Sequence, residues 1–241
     1  MSVSNVLANY REFGLAKTIS FYKGAALNKL IFFRQFQAMI VTMTTLDSQY
    51  LDPSDGYQYR FLTERELVAH SKVEENELGP AFLQQALGKG DRCFAVLDGG
   101  EMASDGWYST QPTEMGSGLL WCFDPSRVYM YKGFTKPAYR GKRLHAFGMA
   151  GALKASVEEG ARGLVSNVET NNFRSLKSVY RMGYRNIGKI TVTRPAGVCR
   201  IRAEKECFPY GVTVREVQAP SPPSVGLTES ERAREPTSEV A

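Results

Sequence analysis

Thr135-Lys-Pro-Ala-Tyr-Arg-Gly-Lys-Arg-Leu-His145 is the stretch on which the reading of this chain turns. Ahead of it runs Val128-Tyr-Met-Tyr-Lys-Gly-Phe134, aromatic and β-like. Behind it Ala146, Met149, Ala150, Leu153 and Val157 recur at helical spacing and share one face. The unit is a strand, a basic loop and a helix. The first backbone N–H groups of a helix have no intrahelical partner, and its N-terminus carries about half a positive charge. A loop that adds Arg140, Lys142 and Arg143 at that point is suited to hold a phosphate or pyrophosphate.

The loop resembles the pyrophosphate loop of the GNAT superfamily of acyl-CoA-dependent N-acyltransferases, written Q/R-x-x-G-x-G/A and usually set inside P-x-Y-R-G-K-G-x-G. Pro137, Tyr139, Arg140, Gly141 and Lys142 stand where that pattern expects them, while Arg143 replaces the first motif glycine and His145 the final small residue. A second match follows downstream. After Glu158-Glu159-Gly160, the run Leu164-Val-Ser-Asn-Val168 reads as a strand. Asn172-Phe-Arg-Ser175 then fits the family's N-x-x-S, and a helical segment leads to Gly183-Tyr184, where the family has G-F or G-Y. The resemblance covers about residues 38 to 207. It implies an α/β fold, a GNAT-type mixed, mostly antiparallel sheet with helices on both faces. It also implies transfer of an acyl group, foremost acetyl, from acetyl-CoA (acyl-CoA) as co-substrate to a primary amine by direct attack, with no metal. Phe134 and Thr135 would pair through their backbone with the pantetheine arm. Arg140, Gly141, Lys142, Arg143, Leu144 and His145 would surround the pyrophosphate, and Asn172 and Ser175 would add cofactor contacts from the second motif.

Composition bounds the rest. The 241 residues are 43% hydrophobic and 23% charged, enough for an ordinary core in one domain with appendages. These are an N-terminal helical arm over 1–34, an acyltransferase domain over 35–217 and a disordered tail over 218–241, where Pro, Ser, Glu and Arg crowd out large apolar residues. No run approaches the roughly 18 apolar residues that span a bilayer, and the N-terminus lacks a secretory signal, so a cytoplasmic location is expected. The arm mixes Tyr10, Phe13, Leu15, Ile19, Phe21 and Tyr22 with Arg11, Lys17, Lys23 and Lys29. Packing on the domain and lying on an acidic membrane surface are both open to it. Cys93, Cys122, Cys199 and Cys207 form no C-x-x-C pair, and with only His70 and His145 a metal cage is hard to assemble. The net charge of +5 is gathered at 140–143, along Arg174, Lys177 and Arg181, and in the arm. It shows neither the aromatic interleaving of an RNA-binding sheet nor a helix-turn-helix, so an acyl-CoA site accounts for it without nucleic acid.

Elsewhere, 37–43 reads as the first core strand, 47–59 as a loop and 63–87 as a helical stretch broken near Gly79-Pro80. Residues 92–97 and 102–109 read as a hairpin across Asp98-Gly99-Gly100, 111–126 as a strand or an active-site loop, and 187–193 with 198–202 as a closing hairpin.

Acyl transfer from a thioester to an amine needs a neutral nucleophile, a place for the oxyanion and a proton for the thiolate. An amine of pKa near 10.4 is mostly protonated at neutral pH, which costs roughly 4 kcal/mol, so a base acting directly or through water is expected. The strand before the loop has no carboxylate between Val128 and Phe134. Glu169, at the end of the strand 164–168, is the preferred base, and Asp105 is the other acidic candidate. The resemblance puts the acid for the thiolate four residues before the glycine of G-F. That position is Val179, and Tyr180, about 100° further round the helix, is the remaining candidate beside water. Acidic residues such as Asp47, Glu64 and Glu77 beside Tyr50, Tyr57, Tyr59 and Phe61 suit a small-molecule amine acceptor. A protein or peptide acceptor, and a non-catalytic acyl-CoA-binding regulatory module, stay open beside that reading.

Overall fold

The structure, a computed structural model, describes residues 3–53 and 56–217. The tail expected at 218–241 lies outside the described residues, as do Met1, Ser2, Ser54 and Asp55. The chain opens with α1 (Val3–Phe13) and α2 (Leu15–Ile31), joined at Gly14, whose φ is 80°. Then come β1 (Phe33–Val41), β2 (Tyr57–Phe61), α3 (Glu64–His70), α4 (Pro80–Gly88), β3 (Arg92–Asp98), β4 (Glu101–Ser109), β5 (Thr113–Glu114) and β6 (Leu119–Cys122). The second half is β7 (Val128–Thr135), α5 (Leu144–Glu158), β8 (Leu164–Glu169), α6 (Phe173–Arg181), β9 (Arg185–Thr193), β10 (Arg200–Ala203) and β11 (Thr213–Glu216). No helix among the described residues is long and apolar enough to cross a membrane.

One eight-stranded sheet runs β10-β9-β1-β8-β7-β4-β3-β2. Only β7 and β8 are parallel, and every other neighbouring pair is antiparallel. A parallel pair needs a long crossover, and α5 supplies it. On one face α5 and α6 bury Met149, Leu153, Leu176 and Val179 against Met39, Met130 and Leu164. On the other, α3 and α4 set Leu67 and Leu83 over Ala95, Leu97 and Trp107. Beside them a small antiparallel sheet, β11-β6-β5, lays Leu119, Trp121 and Val214 over Phe36, Val165 and Ile190. The result is the mixed, mostly antiparallel α/β architecture expected, with helices on both faces.

Several elements differ from their sequence reading. β1 begins at Phe33 rather than at 37, because its first residues pair with β9 through Phe33↔Thr193. β2 occupies part of the expected loop 47–59, and its aromatic alternation Tyr57, Tyr59, Phe61 was the signal for an edge strand. The stretch 63–87 is broken at Gly79-Pro80 as read, but the gap is wider than expected: α3, opened by a capping box of Thr63 and Glu66, already ends at His70, and Glu77 turns left-handed (φ 53°) before α4 starts at Pro80. The segment 111–126 folds as β5 and β6, partnered by β11. Finally, α5 is buried well beyond one face, Gly148, Ala150, Ala152 and Leu153 included. Gly148 and Gly151 lack the Cβ atoms that would press on Val96 and Phe94, so β3 approaches a side the periodicity left open.

Candidate active site in the fork between β7 and β8

The β7–β8 ladder holds only Val128↔Leu164, Tyr129↔Val165 and Met130↔Ser166. Beyond those pairs β7 follows β4 as far as Thr135 while β8 follows β1 as far as Glu169, so the two strands part. The β4–β7 register slips between Trp107/Lys132 and Tyr108/Met130, which leaves Tyr131 as an extra residue. Such a bulge bends its strand and sharpens the twist, which carries β7 away from β8. Ser166 Oγ donates to the Met130 carbonyl at 2.9 Å and closes the apex of the fork. A cavity of about 460 Å³ opens there. Arg34, Glu114 and Met115 line it from the small-sheet side, and His145, Met149, Asn172 and Ser175 from the α5–α6 side.

The basic loop leads from β7 into α5. Gly141 (φ 85°) and Arg143 (φ 59°) are both left-handed, and Arg143 is the N-cap of α5 without a side-chain cap. A non-glycine residue pays about 1 kcal/mol or more for that conformation, which is why the motif places a glycine there. The first helical bonds run from the Ala146 and Phe147 N–H groups to Arg143 O, so N–H groups earlier in the turn have no helical partner. Arg140 Nε donates to Thr135 O at 3.3 Å, Lys142 Nζ to the Tyr57 hydroxyl at 3.1 Å, and Arg143 Nη1 to Gln49 Oε1 at 3.1 Å. Among the described residues no carboxylate pairs with any of them. Three uncompensated cations around an uncapped helix N-terminus are an arrangement suited to an anion.

His145, in the second position of α5, turns its ring onto β7 and lines the cavity. A Cβ on Gly133 would collide with that ring and with Met130, so the glycine in β7 makes the room that the histidine uses. Burial holds the imidazole down at about 4, outweighing a hydrogen bond to the Asp105 backbone, and it is neutral at physiological pH.

Of the other residues singled out in the sequence, Glu169, Asn172 and Ser175 reach the cavity. Arg34 donates through Nε at 2.9 Å and Nη2 at 2.5 Å, both to Glu169 Oε1, so Oε2 keeps its lone pairs. Asn172 caps α6 by accepting from the Ser175 N–H at 3.2 Å. Phe134 and Thr135 lie on β7 beyond the fork, where Ser104 Oγ donates to Phe134 O at 2.8 Å. Tyr180 turns outward: it is 45% exposed and donates to Gln37 Oε1 at 2.7 Å, while Val179 lines the cavity. Asp105 is 2% exposed beneath the β4–β7 pair and outside the cavity lining, with neither carboxylate oxygen hydrogen-bonded. Burial pushes its pKa up to about 7, with the Lys132 charge and the nearby Trp107 indole holding the rise back. Sequence reasoning missed Arg34, Glu114 and Tyr129. Tyr129 stacks on Trp121 and donates to Asn167 Oδ1 at 2.6 Å, and Glu114 is exposed and has no side-chain partner among the described residues. Nothing local to a two-residue strand announces Glu114.

No family model and no curated protein matches the chain. Solved structures do. One is a GNAT-family acetyltransferase from Novosphingobium aromaticivorans, at 14% identity and a TM-score of 0.46, covering 67% of this chain and 63% of that one. Another, from the GNAT family of Colwellia psychrerythraea, has 12% identity, a TM-score of 0.49, and coverage of 67% and 56%. The aminoglycoside N-acetyltransferase AAC(6')-Iy in complex with CoA has 17% identity, a TM-score of 0.42, and coverage of 54% and 92%. The chain thus spans less than two thirds of the first two, and all three likenesses are distant. The strand order, the single parallel pair that forks beyond Met130 and Ser166, and the basic loop entering α5 give this chain a mixed, mostly antiparallel α/β fold that is consistent with the GNAT type.

Proposed function

We propose that the chain is an acyl-CoA-dependent N-acyltransferase that transfers an acyl group, foremost acetyl, to a primary amine of a small molecule. The observation that supports this most is the fork: a cavity between two strands that have lost each other as partners, with an uncompensated cationic cradle on the loop leaving one of them. Those residues fit an acyl-CoA. Arg140, Lys142 and Arg143 with the first turn of α5 would hold the pyrophosphate, and the free edge of β7 through Phe134 and Thr135 would hydrogen-bond the pantetheine arm. The neutral amine then attacks the thioester carbonyl carbon, the C–S bond breaks, and the proton of the new ammonium must leave. Glu169 Oε2, free while Arg34 occupies Oε1, is the proposed acceptor for it, and water returns a proton to the thiolate. Neutral His145 keeps a positive charge out of the cavity that a protonated amine would otherwise meet.

Thiol release from acetyl-CoA across amino sugars, amino acids, polyamines and peptides tests the reading. Release with at least one small amine is the expected result. Peptides outperforming every small amine in kcat/KM would replace the acceptor class. One further reading, a non-catalytic acyl-CoA-binding module, is favoured by the outward turn of Tyr180 and the ion pair on Glu169. Tight acetyl-CoA binding without thiol release would establish it.

A further inference from the structure

We propose that the N-terminal helical hairpin and the cationic face beside it dock this chain on an anionic phospholipid surface, a binding function separate from acyl transfer. Charge is divided unevenly along the sequence. Residues 170–203 carry eight Lys and Arg and no Asp or Glu, and residues 1–46 carry five against Glu12 alone, so with a net charge of +5 the rest of the chain is net acidic. The fold brings those two basic segments together. The arm meets α6 at Phe13 and Phe173, and β1 pairs with β9, which pairs in turn with β10. Residues directly opposite on paired strands share a face of the sheet, so Gln35, Thr191 and Arg202 form one row across β1, β9 and β10. The Tyr180 hydroxyl reaches Gln37, two residues along β1 on that same face, so the row looks out on the side of α6, while the small sheet covers the opposite side.

Arg174, Lys177 and Arg181 recur at helical spacing on the exposed side of α6, and Glu12 compensates Arg174. Among the described residues none of Lys17, Lys23, Lys177, Arg181, Arg200 and Arg202 pairs with a carboxylate. An uncompensated set of cations on one side of the molecule calls for an anionic partner. The arm says which kind. Leu7 and Tyr10, three apart on α1, and Leu15 and Ile19, four apart on α2, stay exposed although the arm is docked, the last two at 62% and 57%. Single apolar residues on a surface are ordinary, but four on one helical hairpin beside unpaired lysines make an interfacial anchor. In that arrangement the apolar side chains enter the boundary between headgroups and acyl chains, and the cations meet the lipid phosphates. A nucleic acid would satisfy the cations and leave those apolar side chains in water.

The test is flotation of the full chain with vesicles of phosphatidylcholine alone and of phosphatidylcholine mixed with phosphatidylglycerol, at rising salt. The mixed vesicles are expected to bind about tenfold or more tighter than the neutral ones, and salt is expected to erase most of that difference. Leu15→Ser with Ile19→Ser removes the inserted side chains, and Lys177→Glu with Arg181→Glu reverses two of the cations. Each pair alters exposed positions, so it is expected to weaken binding to the mixed vesicles about tenfold or more while Tm stays at the wild-type value. Absence of binding to the mixed vesicles at low salt overturns the proposal, and so does binding that either pair leaves unchanged. A mixed-sequence DNA duplex bound more tightly than the vesicles, and indifferent to Leu15→Ser with Ile19→Ser, would make the partner a nucleic acid. Self-association lost on Lys177→Glu with Arg181→Glu, without vesicle binding, would make it a second copy of this chain; either result overturns the lipid assignment. Thiol release is read separately, so failure of the acyl-transfer reading leaves the vesicle result standing.

Discussion

Gly133→Ala would drive a methyl group into the His145 ring and Met130. The expected loss is about 1–3 kcal/mol, typical of overpacking a fixed site. Denaturation of Gly133→Ala, His145→Ala and the double variant measures it, and the double is expected to regain much of the loss, whereas independent sites would simply add. Asp105 and His145 also leave a signature in pH. Asp105 is held up at about 7, against roughly 3.9 in the unfolded chain, so the folded protein keeps a proton that the unfolded chain releases and stability falls as pH rises between those values. His145 is held down at about 4, against roughly 6.5 unfolded, so stability falls as pH drops through that window. The two slopes oppose each other from about pH 4 to 6.5. Asp105→Asn removes one of them, and its unfolding free energy should climb over that range and exceed that of wild type above about pH 7 by an amount on the order of a few kcal/mol; a variant curve parallel to wild type would refute the assignment. In the loop, Arg140→Glu is expected to weaken acetyl-CoA binding roughly tenfold or more in calorimetry, since a charge-assisted contact is worth about 1.5–3 kcal/mol. Unchanged affinity would take the loop out of the site.

Among the elements, α6 matters because it carries Asn172, Ser175 and Val179 to the cavity. Its far end is pinned. The Asp47 N–H donates to Met182 O at 3.0 Å, and Gly183 (φ 94°) passes so close to the Thr45 carbonyl that a Cβ has no room. Gly183→Ala combines a left-handed backbone with a collision against main chain, and a loss of about 2 kcal/mol or more is expected in urea titration. Because α6 would shift with it, KM for acyl-CoA should rise as well; a neutral substitution would show that the helix end is free to move. The motif Asn172-x-x-Ser175 was legible because capping is local: the Asn172 carboxamide reaches the Ser175 N–H within one turn. The fork was not legible in the same way. The run 128–134 announces a strand, yet where it stops pairing with 164–169 depends on a bulge against β4, and a bulge is a property of two strands.

Across the whole molecule, the N-terminal arm meets the domain at α6. The Phe13 and Phe173 rings lie 5.2 Å apart, Lys17 sits 5.6 Å over Phe173, and Glu12 pairs with Arg174 at 2.7 Å. The ion pair is exposed and adds little, so the aromatic contact carries the docking. Removing residues 1–31 is expected to uncover Phe173 and lower the Tm by several degrees, and a Tm unchanged by the deletion would show that the arm does not brace the domain. Other features are equally matters of tertiary structure. Arg34 comes from β1 to occupy Glu169, and Glu114 enters the cavity because β11, nearly a hundred residues on, joins β6 and β5 in one small sheet. Tyr180 faces Gln37 because Val179 is the side that α6 buries, and one oxygen of Asp91 stays unpaired among the described residues because Lys89 and Tyr131 both meet its other one. By itself, the sequence determined the strand, the basic loop, the helix that follows and the cap that opens α6, since periodicity, capping and an uncapped helix N-terminus act over a few residues. Only the tertiary structure decided which carboxylate is paired, which is free and which tyrosine looks away, because those outcomes depend on the register of strands far apart in the chain.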